Sequence, residues 1–413
     1  MNRGWLFIAL LLGSGACSWG KFDDLRDEAW VRAVENPDDD STNWAIAVQR
    51  GNRDSSSGGR LAVFGSAQSL FNEIVYDPNG GAEVATNQQK LQSLGIGNLD
   101  PQPIVIADPA SDEIALVSKS GSASIAVLHG VNGTLISDPI FGPDIPDAAV
   151  YMAAPGFGTV VSPQPSQPLV AQGDTVYGTF YTKPDPSFQQ PACKLAVGAT
   201  PVNVKALGTH RAGGSDTDDV IVWSATGDLL IFDGDVFNGM HGTVCASGTA
   251  NAPLATLATG FMPGNGSQIL AIDNRYVVLQ GHSGGSAHLA VYDLEAGPNP
   301  MIVGSPRTDS GMTIATLVDT GAGGKLVAVG FPAAQVDGVS CGQVQAFAVD
   351  TTTGVGTTPV LILHDAQPDQ DQSFGRGVTT MRFNGRDVLV VAANNEVFAY
   401  FRTAAYADAR TGR

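Results

Sequence analysis

One theme recurs along this chain and restricts its fold more than any other feature. A Gly-rich or Asp-rich turn leads into a short aliphatic strand, a second turn follows, and then comes a strand of alternating aromatic or aliphatic residues that ends near Asp-x-x-x-Gly. The occurrences are GGRLAVFGS (58–66) before FNEIVYD, SDEIALVSKSG (111–121) before SIAVLHGVNG, PDAAVYMAAPG (146–156) before TVYGTFYT, and SDTDDVIVWSATG (215–227) before DLLIFDG. Three more follow: NGSQILAIDNRYVVLQG (265–281) before AHLAVYDLEAG, GAGGKLVAVGFP (321–332) before GQVQAFAVDTTTG, and NGRDVLVVAANN (384–395) before EVFAYF. The aliphatic strands start near Leu61, Ile114, Val150, Val220, Ile269, Leu326 and Val388, about 55 residues apart, which is room for a four-stranded unit with its loops.

Composition supports short strands. Hydrophobic residues are 43% of the chain and charged residues 15%, enough to fill a core, but 50 Gly and 24 Pro interrupt it too often for long helices. A single four-stranded sheet cannot bury both faces, whereas sheets stacked radially cover one another and leave only short edges. The expected architecture is therefore all-β: a seven-bladed β-propeller of four-stranded antiparallel blades over residues 43–403, with 404–413 as a C-terminal tail. The early strand Trp44–Val48 is expected to close the ring beside Glu396–Phe401. A pair of β-sandwiches or an open β-solenoid is the competing architecture.

The N-terminus carries signal-peptide anatomy over residues 1–16: Arg3, an apolar run from Trp5 to Leu12, and the small residues Gly13 to Ala16. The run is too short to span a bilayer as a helix. Cys17 after Gly15-Ala16 is similar to a bacterial lipobox, which implies lipidation of Cys17 and an outer-membrane or cell-surface lipoprotein. Ser14 departs from the lipobox pattern and also suits ordinary cleavage after Ala16, which would release a secreted or periplasmic protein. Residues 17–42 are expected to form a tether, a short amphipathic helix from Phe22 to Asn36 built on Phe22, Leu25, Ala29, Trp30 and Ala33, and the acidic linker Pro37–Thr42. Lipidation of Cys17 leaves three cysteines, of which Cys193 and Cys245 flank a single repeat and are the preferred disulfide, with Cys341 left over.

With 22 Lys+Arg against 40 Asp+Glu the net charge is -18. Such a chain repels phosphate backbones and anionic lipid, so nucleic acid is excluded as a partner and a membrane is reached only through an N-terminal lipid.

The repeats resemble the FG-GAP family of integrin-alpha-like β-propellers, whose units run Phe-Gly, a small-residue strand, an Asp/Gly-rich turn, an aliphatic strand and Gly-Ala-Pro. Ser310 to Asp319, then Gly321 to Gly324, then Leu326 to Pro332 follow that order, with Ser310-Gly311 in place of Phe-Gly. Ser373 to Val378, then Asn384 to Asp387, then Val388 to Val391 retain Phe374-Gly375, and an earlier unit keeps Ala153-Ala154-Pro155. The resemblance implies an adhesion or ligand-binding module, in which calcium frequently occupies an Asp-x-Asp-x-Asp-Gly turn. Here the nearest candidate is Asp216, Asp218 and Asp219, which could gather on a hard cation or could simply cap the following strand. Asp319 stands alone in its turn, and Asn384 and Asp387 are what remains in the last one.

No catalytic set emerges. Gly281-His-Ser-Gly-Gly285 matches a nucleophile elbow literally, but a strand-like segment rather than a helix follows Ser283, so a hairpin loop is expected. Gly321 to Lys325 is similar to a phosphate loop, yet Leu326 stands where Ser or Thr would meet magnesium. The six His have no metal-ligand spacing. Asp293 to Gly297 and Asp350 to Gly354 resemble turns of pyrroloquinoline-quinone dehydrogenase propellers without their regular Trp. The expectation is a monomeric, exported, non-catalytic module with no cofactor beyond possible calcium, whose partner is an unidentified protein or glycan on the cell exterior. The Pro-rich segment Pro163 to Pro191, expected to be a long loop, is its first candidate for contact. A structural envelope component without a discrete ligand, and a quinoprotein-like enzyme, are the alternatives.

Overall fold

The computed structural model describes the strands between Trp30 and Tyr400 and, with their turns, most of residues 169–181, 188–207, 219–233, 252–263, 267–320, 324–364 and 373–400. Among the described residues every regular element is a β-strand. Consecutive strands pair antiparallel in groups of four. Asn43–Gln49, Gly59–Gly65, Leu70–Tyr76 and Glu83–Lys90 make the first group, in that order across the sheet. The next begins at Ile104–Ile106 and ends at Ile140–Phe141; another begins at Tyr151–Ala153 and ends at Phe188–Ala196; a fourth begins at Pro201–Leu207 and ends at Ala255–Ala258.

An eight-stranded sheet comes next, and it is two such groups. One runs from Gln268–Ala271 to Met301–Asp309 and the other from Ala315–Asp319 to Gly354–Leu363, and they are joined by a single parallel pairing of Ser305 with Gly354. The last group is Gly377–Phe383, Arg386–Ala392 and Glu396–Tyr400, completed by the strand Trp30–Glu35 from the other end of the chain. The first strand of each group is the inner one. These inner strands contact one another in sequence from Tyr151–Ala153 through to Gly377–Phe383, which meets Asn43–Gln49, which in turn meets Ile104–Ile106. The arrangement is a β-propeller.

Two expectations about the N-terminal region change. Residues 30–35 of the expected helix form a strand, while residues 22–29 lie outside the described residues. The same residues close the last sheet, a role expected of Trp44–Val48, which instead begins the first sheet. The physical reason is the free edge of Glu396–Tyr400. It offers backbone partners to the β-prone run Trp30-Val31-Arg32-Ala33-Val34, whereas an isolated short helix is marginal in water.

The segment Pro163 to Pro191 is also not a loop. It contains part of a small ribbon, Phe157–Thr159 with Ser162–Gln164, and then Leu169–Gln172, Thr175–Tyr181 and the start of Phe188–Ala196. Pro191 is tolerated because its strand is the outermost of its sheet, where a missing N–H need not break a ladder.

The core lies in the seams between sheets. Every residue of Asp219–Ser224 is buried, and its side chains divide by alternation. Val220 and Val222 pack with Leu169, Val176 and Leu195 of the preceding sheet, while Ile221 and Trp223 pack with Ile269, Val277 and Leu279 of the following one. The pattern repeats at Lys325–Phe331: Val327 and Val329 face Val278, Leu289 and Val291, and Leu326 and Ala328 face Leu389, Val391 and Phe398. A strand buried on both faces reads as an unbroken aliphatic run, which is why DVIVWS and KLVAVGF lack polar alternation.

Candidate functional site

In this topology the links between successive sheets, and the turns between second and third strands, leave the ring on one face. The remaining turns leave on the other. The first face is built around Phe374-Gly375. Phe374 is fully buried between the last two groups of strands, its ring 5.4 Å from that of Phe398, and its backbone N–H donates to the Cys341 carbonyl at 2.7 Å. Gly330, in the Gly-Phe-Pro segment, lies so close to this loop that a Cβ on it would stand 1.8 Å from the Gly375 carbonyl oxygen. Gly375 itself has a φ of 88°, a conformation that suits glycine. The Phe-Gly of the last unit thus docks on the glycine of the preceding unit.

From the same face projects a small hairpin, Gln335–Val336 with Val339–Ser340. Its turn residues Asp337 and Gly338 have φ values of 52° and 84°, the left-handed pair that a two-residue hairpin loop requires. The tip is exposed, and Val336 anchors it from beneath. Cys341 follows, buried, with its thiol donating to the Gly342 carbonyl at 3.6 Å.

As expected, Ser283 stands at a hairpin end, opposite Ser286. Behind it, the His288 ring stacks on Phe261 at 4.7 Å, and its Nδ1 is 2.8 Å from the Thr308 hydroxyl. Gly281 is needed where it stands, since a Cβ there would lie 2.5 Å from the Trp223 ring. On the opposite face of these strands, the Gln280 side-chain amide donates to the Thr313 carbonyl at 2.6 Å. Arg307 pairs with Asp309 at 2.5 Å, lies over the Phe347 ring, and donates to the Thr357 carbonyl. These polar groups tie neighbouring sheets together.

The other face holds the aspartates. Asp293 accepts both Nε and Nη2 of Arg275, at 2.7 and 2.6 Å, and the Glu295 N–H at 2.9 Å; this pairing holds the guanidinium above its usual pKa. Asp350 accepts the N–H groups of Thr352 and Thr353 at 2.7 and 2.8 Å, which lowers its pKa. The recurring Asp-x-x-x-Gly is therefore a turn closed by its own carboxylate. Asp387 accepts the backbone N–H of Asp319 at 2.7 Å, so two aspartates from consecutive turns are neighbours across a seam.

Of the residues singled out for calcium, Asp216 and Asp218 lie outside the described residues. Asp219 is fully buried as the first residue of its strand, opposite Leu207. Among the described residues no group of three or more His, Cys, Asp or Glu is arranged to hold a metal. Cys17 and Cys245 also lie outside the described residues, and Cys193 sits opposite Gly178 on an outer strand.

One residue that no sequence signal marks stands out. Lys205 is on the inner strand Pro201–Leu207, where its side chain keeps solvent-accessible surface. Desolvation by the surrounding protein lowers its pKa below the usual lysine range. Two residues away on the same face, the Asn203 side-chain amide donates to the Ser267 carbonyl at 3.1 Å, bridging to the next sheet.

No family model matches the chain, and no curated protein matches it. Solved structures do match. Two structures of BBS1N in complex with ARL6DN, soaked with lead and with mercury, cover 91% of this chain, and 97% and 98% of their own. They superpose with TM-scores of 0.50 and 0.51 at 13% and 10% identity. The Dos1 propeller covers 90% of this chain and 85% of its own, with a TM-score of 0.44 and 12% identity. At such identities the likeness concerns the fold, and that fold is the β-propeller.

Proposed function

We propose that the chain is a seven-bladed, non-catalytic binding module of FG-GAP type, exported and held at the cell surface through Cys17, that engages a protein or glycan as a monomer. Counting the eight-stranded sheet as two blades supports seven, one for each sequence repeat. The docking of Phe374-Gly375 on Gly330 supports the FG-GAP likeness, and the fold likeness to BBS1N, itself in complex with ARL6DN, supports protein interaction in general.

The observation that carries the reading is the exposed hairpin at Asp337-Gly338. Its left-handed turn and buried Val336 make it a shaped projection on the loop face, and loops on a rigid scaffold are where propellers place recognition. A photo-crosslinking amino acid at position 337 of the full chain, expressed in its native cells, tests it. A discrete adduct, protein or glycan, is expected from position 337 and not from position 352 on the opposite face. Equal adducts from both positions, or none from 337, overturn the assignment.

A further inference from the structure

We infer that Arg376, set in place by Asn394 and Ser373, is a recognition site for a single carboxylate on the loop face, and that the partner presents this group on an acidic peptide segment. The inference names the partner's chemistry and rests on the reading that the loop face is where the partner docks.

Arg376 follows Phe374-Gly375 in the loop that docks on the base of the 335–340 hairpin, where Phe374 donates its N–H to Cys341 and bridges to Gly342. The residue is exposed, yet it is held. Its Nη1 donates to the Asn394 Oδ1 at 2.7 Å, and the Asn394 Nδ2 donates to the Ser373 Oγ at 3.4 Å. Its backbone N–H is shared between the Ser373 and Ala392 carbonyls, each at 3.1 Å. Ser373 has a φ of 52°, a conformation uncommon outside glycine, and such outliers persist where their surroundings fix them, often at ligand sites. Among the described arginine side chains, Arg275 and Arg307 pair with Asp293 and Asp309, whereas Arg376 pairs with no carboxylate.

The bond from Nη1 to Asn394 leaves Nε and Nη2 without a partner among the described residues. That is the edge with which Arg275 takes both oxygens of Asp293 in this same protein, a planar fork matched to one carboxylate. Because Asn394 already fixes the side chain, less rotamer freedom is lost on binding. In a chain of net charge -18 an exposed, unpaired guanidinium is a local exception, and an acid group on a partner is its complement. The same net charge disfavours a phosphate dianion. A peptide is favoured over an acidic sugar because Phe374, the aromatic ring of this loop, is fully buried and offers no face for a sugar ring to stack on.

Acetyl-tetraglutamate amide is the probe, and the 15N-detected Nε–H signal of Arg376 in the full chain is the readout, assigned by its disappearance in R376K. The peptide is expected to move that signal saturably, while acetyl-tetraglutamine amide at equal ionic strength leaves it in place. With a fluorescent form of the glutamate peptide, R376Q should bind about tenfold more weakly, and R376K should recover only part of the loss because an ammonium has no fork. Tm should be unchanged in both. No saturable movement, equal movement with the glutamine peptide, or undiminished binding by R376Q overturns the site. Saturation by oligogalacturonate or inorganic phosphate at lower concentration than the glutamate peptide overturns the peptide assignment. The wild-type titration decides the matter even if a variant fails to fold. Crosslinking that yields no adduct at position 337 would sink the contact face and leave the titration of Arg376 standing; an adduct there with no movement of the Arg376 signal would do the reverse.

Discussion

The Arg307 guanidinium carbon lies 3.8 Å from the centroid of the Phe347 ring, across the seam where Met301–Asp309 meets the neighbouring sheet. The contact joins a cation on one outermost strand to an aromatic ring, fully buried, of the next group. Nearby, the two backbones come close enough that a Cβ on Gly304 would stand 2.1 Å from the Thr353 carbonyl oxygen. The seam is thus closed by glycine at one point and by arginine at another.

Arg307→Ala removes the ring contact, the pairing with Asp309 and the donation to Thr357 together. We expect a loss of about 2–3 kcal/mol, read from the urea midpoint. Arg307→Lys should recover only part of it, because an ammonium lacks the planar fork that stacks and donates at once. A loss in Arg307→Ala no larger than that of an exposed surface residue would mean the seam does not depend on this side chain.

Gly330 and Gly311 separate two reasons for glycine. A Cβ on Gly330 would collide with backbone, whereas Gly311, with a φ of 82°, has open space around it. Gly330→Ala should cost about 3 kcal/mol or more because two strands must move apart. Gly311→Ala should cost about 1–2 kcal/mol from backbone conformation alone. Thermal denaturation of both variants checks the order, and the reverse order contradicts it.

Deleting residues 1–42 removes the strand Trp30–Glu35 and exposes the edge of Glu396–Tyr400. The truncated protein should unfold at lower urea and scatter light on concentration, since an uncovered edge recruits other strands. A peptide covering residues 28–37 should restore the midpoint when added in trans. Full stability without residues 30–35 would show that ring closure does not require them.

Tyr292 supplies a pH dependence. Its hydroxyl donates to the Thr259 carbonyl at 3.2 Å, and burial pushes its pKa up. The folded protein therefore keeps this proton at pH values where the unfolded chain, with a phenol near about 10, has released it. The contribution is whole below that pH and declines as pH rises above it. Absorbance at 295 nm should show Tyr292 ionising only with alkaline unfolding, and wild type should lose stability faster than Tyr292→Phe above pH ~10. Parallel curves would remove Tyr292 as the cause.

Much of the fold was legible before any coordinates. Each of the strand starts at Leu61, Ile114, Val150, Val220, Ile269, Leu326 and Val388 falls at or within one residue of a strand, each in a different four-stranded group. The hairpin at Ser283 was legible too, because Gly-Gly followed by an alternating strand has no helix to offer. Trp30–Glu35 was misread because its apolar residues satisfy helical spacing and strand alternation alike, and a short segment leaves that ambiguity open. Pro163 to Pro191 was misread because proline was weighed as a breaker without knowing which strand would be an edge.

By itself the sequence determined the periodic part of this protein: strand-length aliphatic runs, turns closed by aspartate or glycine, and a repeat long enough for four strands. Those are local preferences, and each residue type carries them wherever it stands. Only the tertiary structure decided which strand closes the last sheet and which glycines face another backbone. Those properties depend on residues far apart in the chain meeting across a seam, as Gly330 meets Gly375 and Arg307 meets Phe347. No local pattern encodes such meetings, because each depends on how one sheet is set against the next.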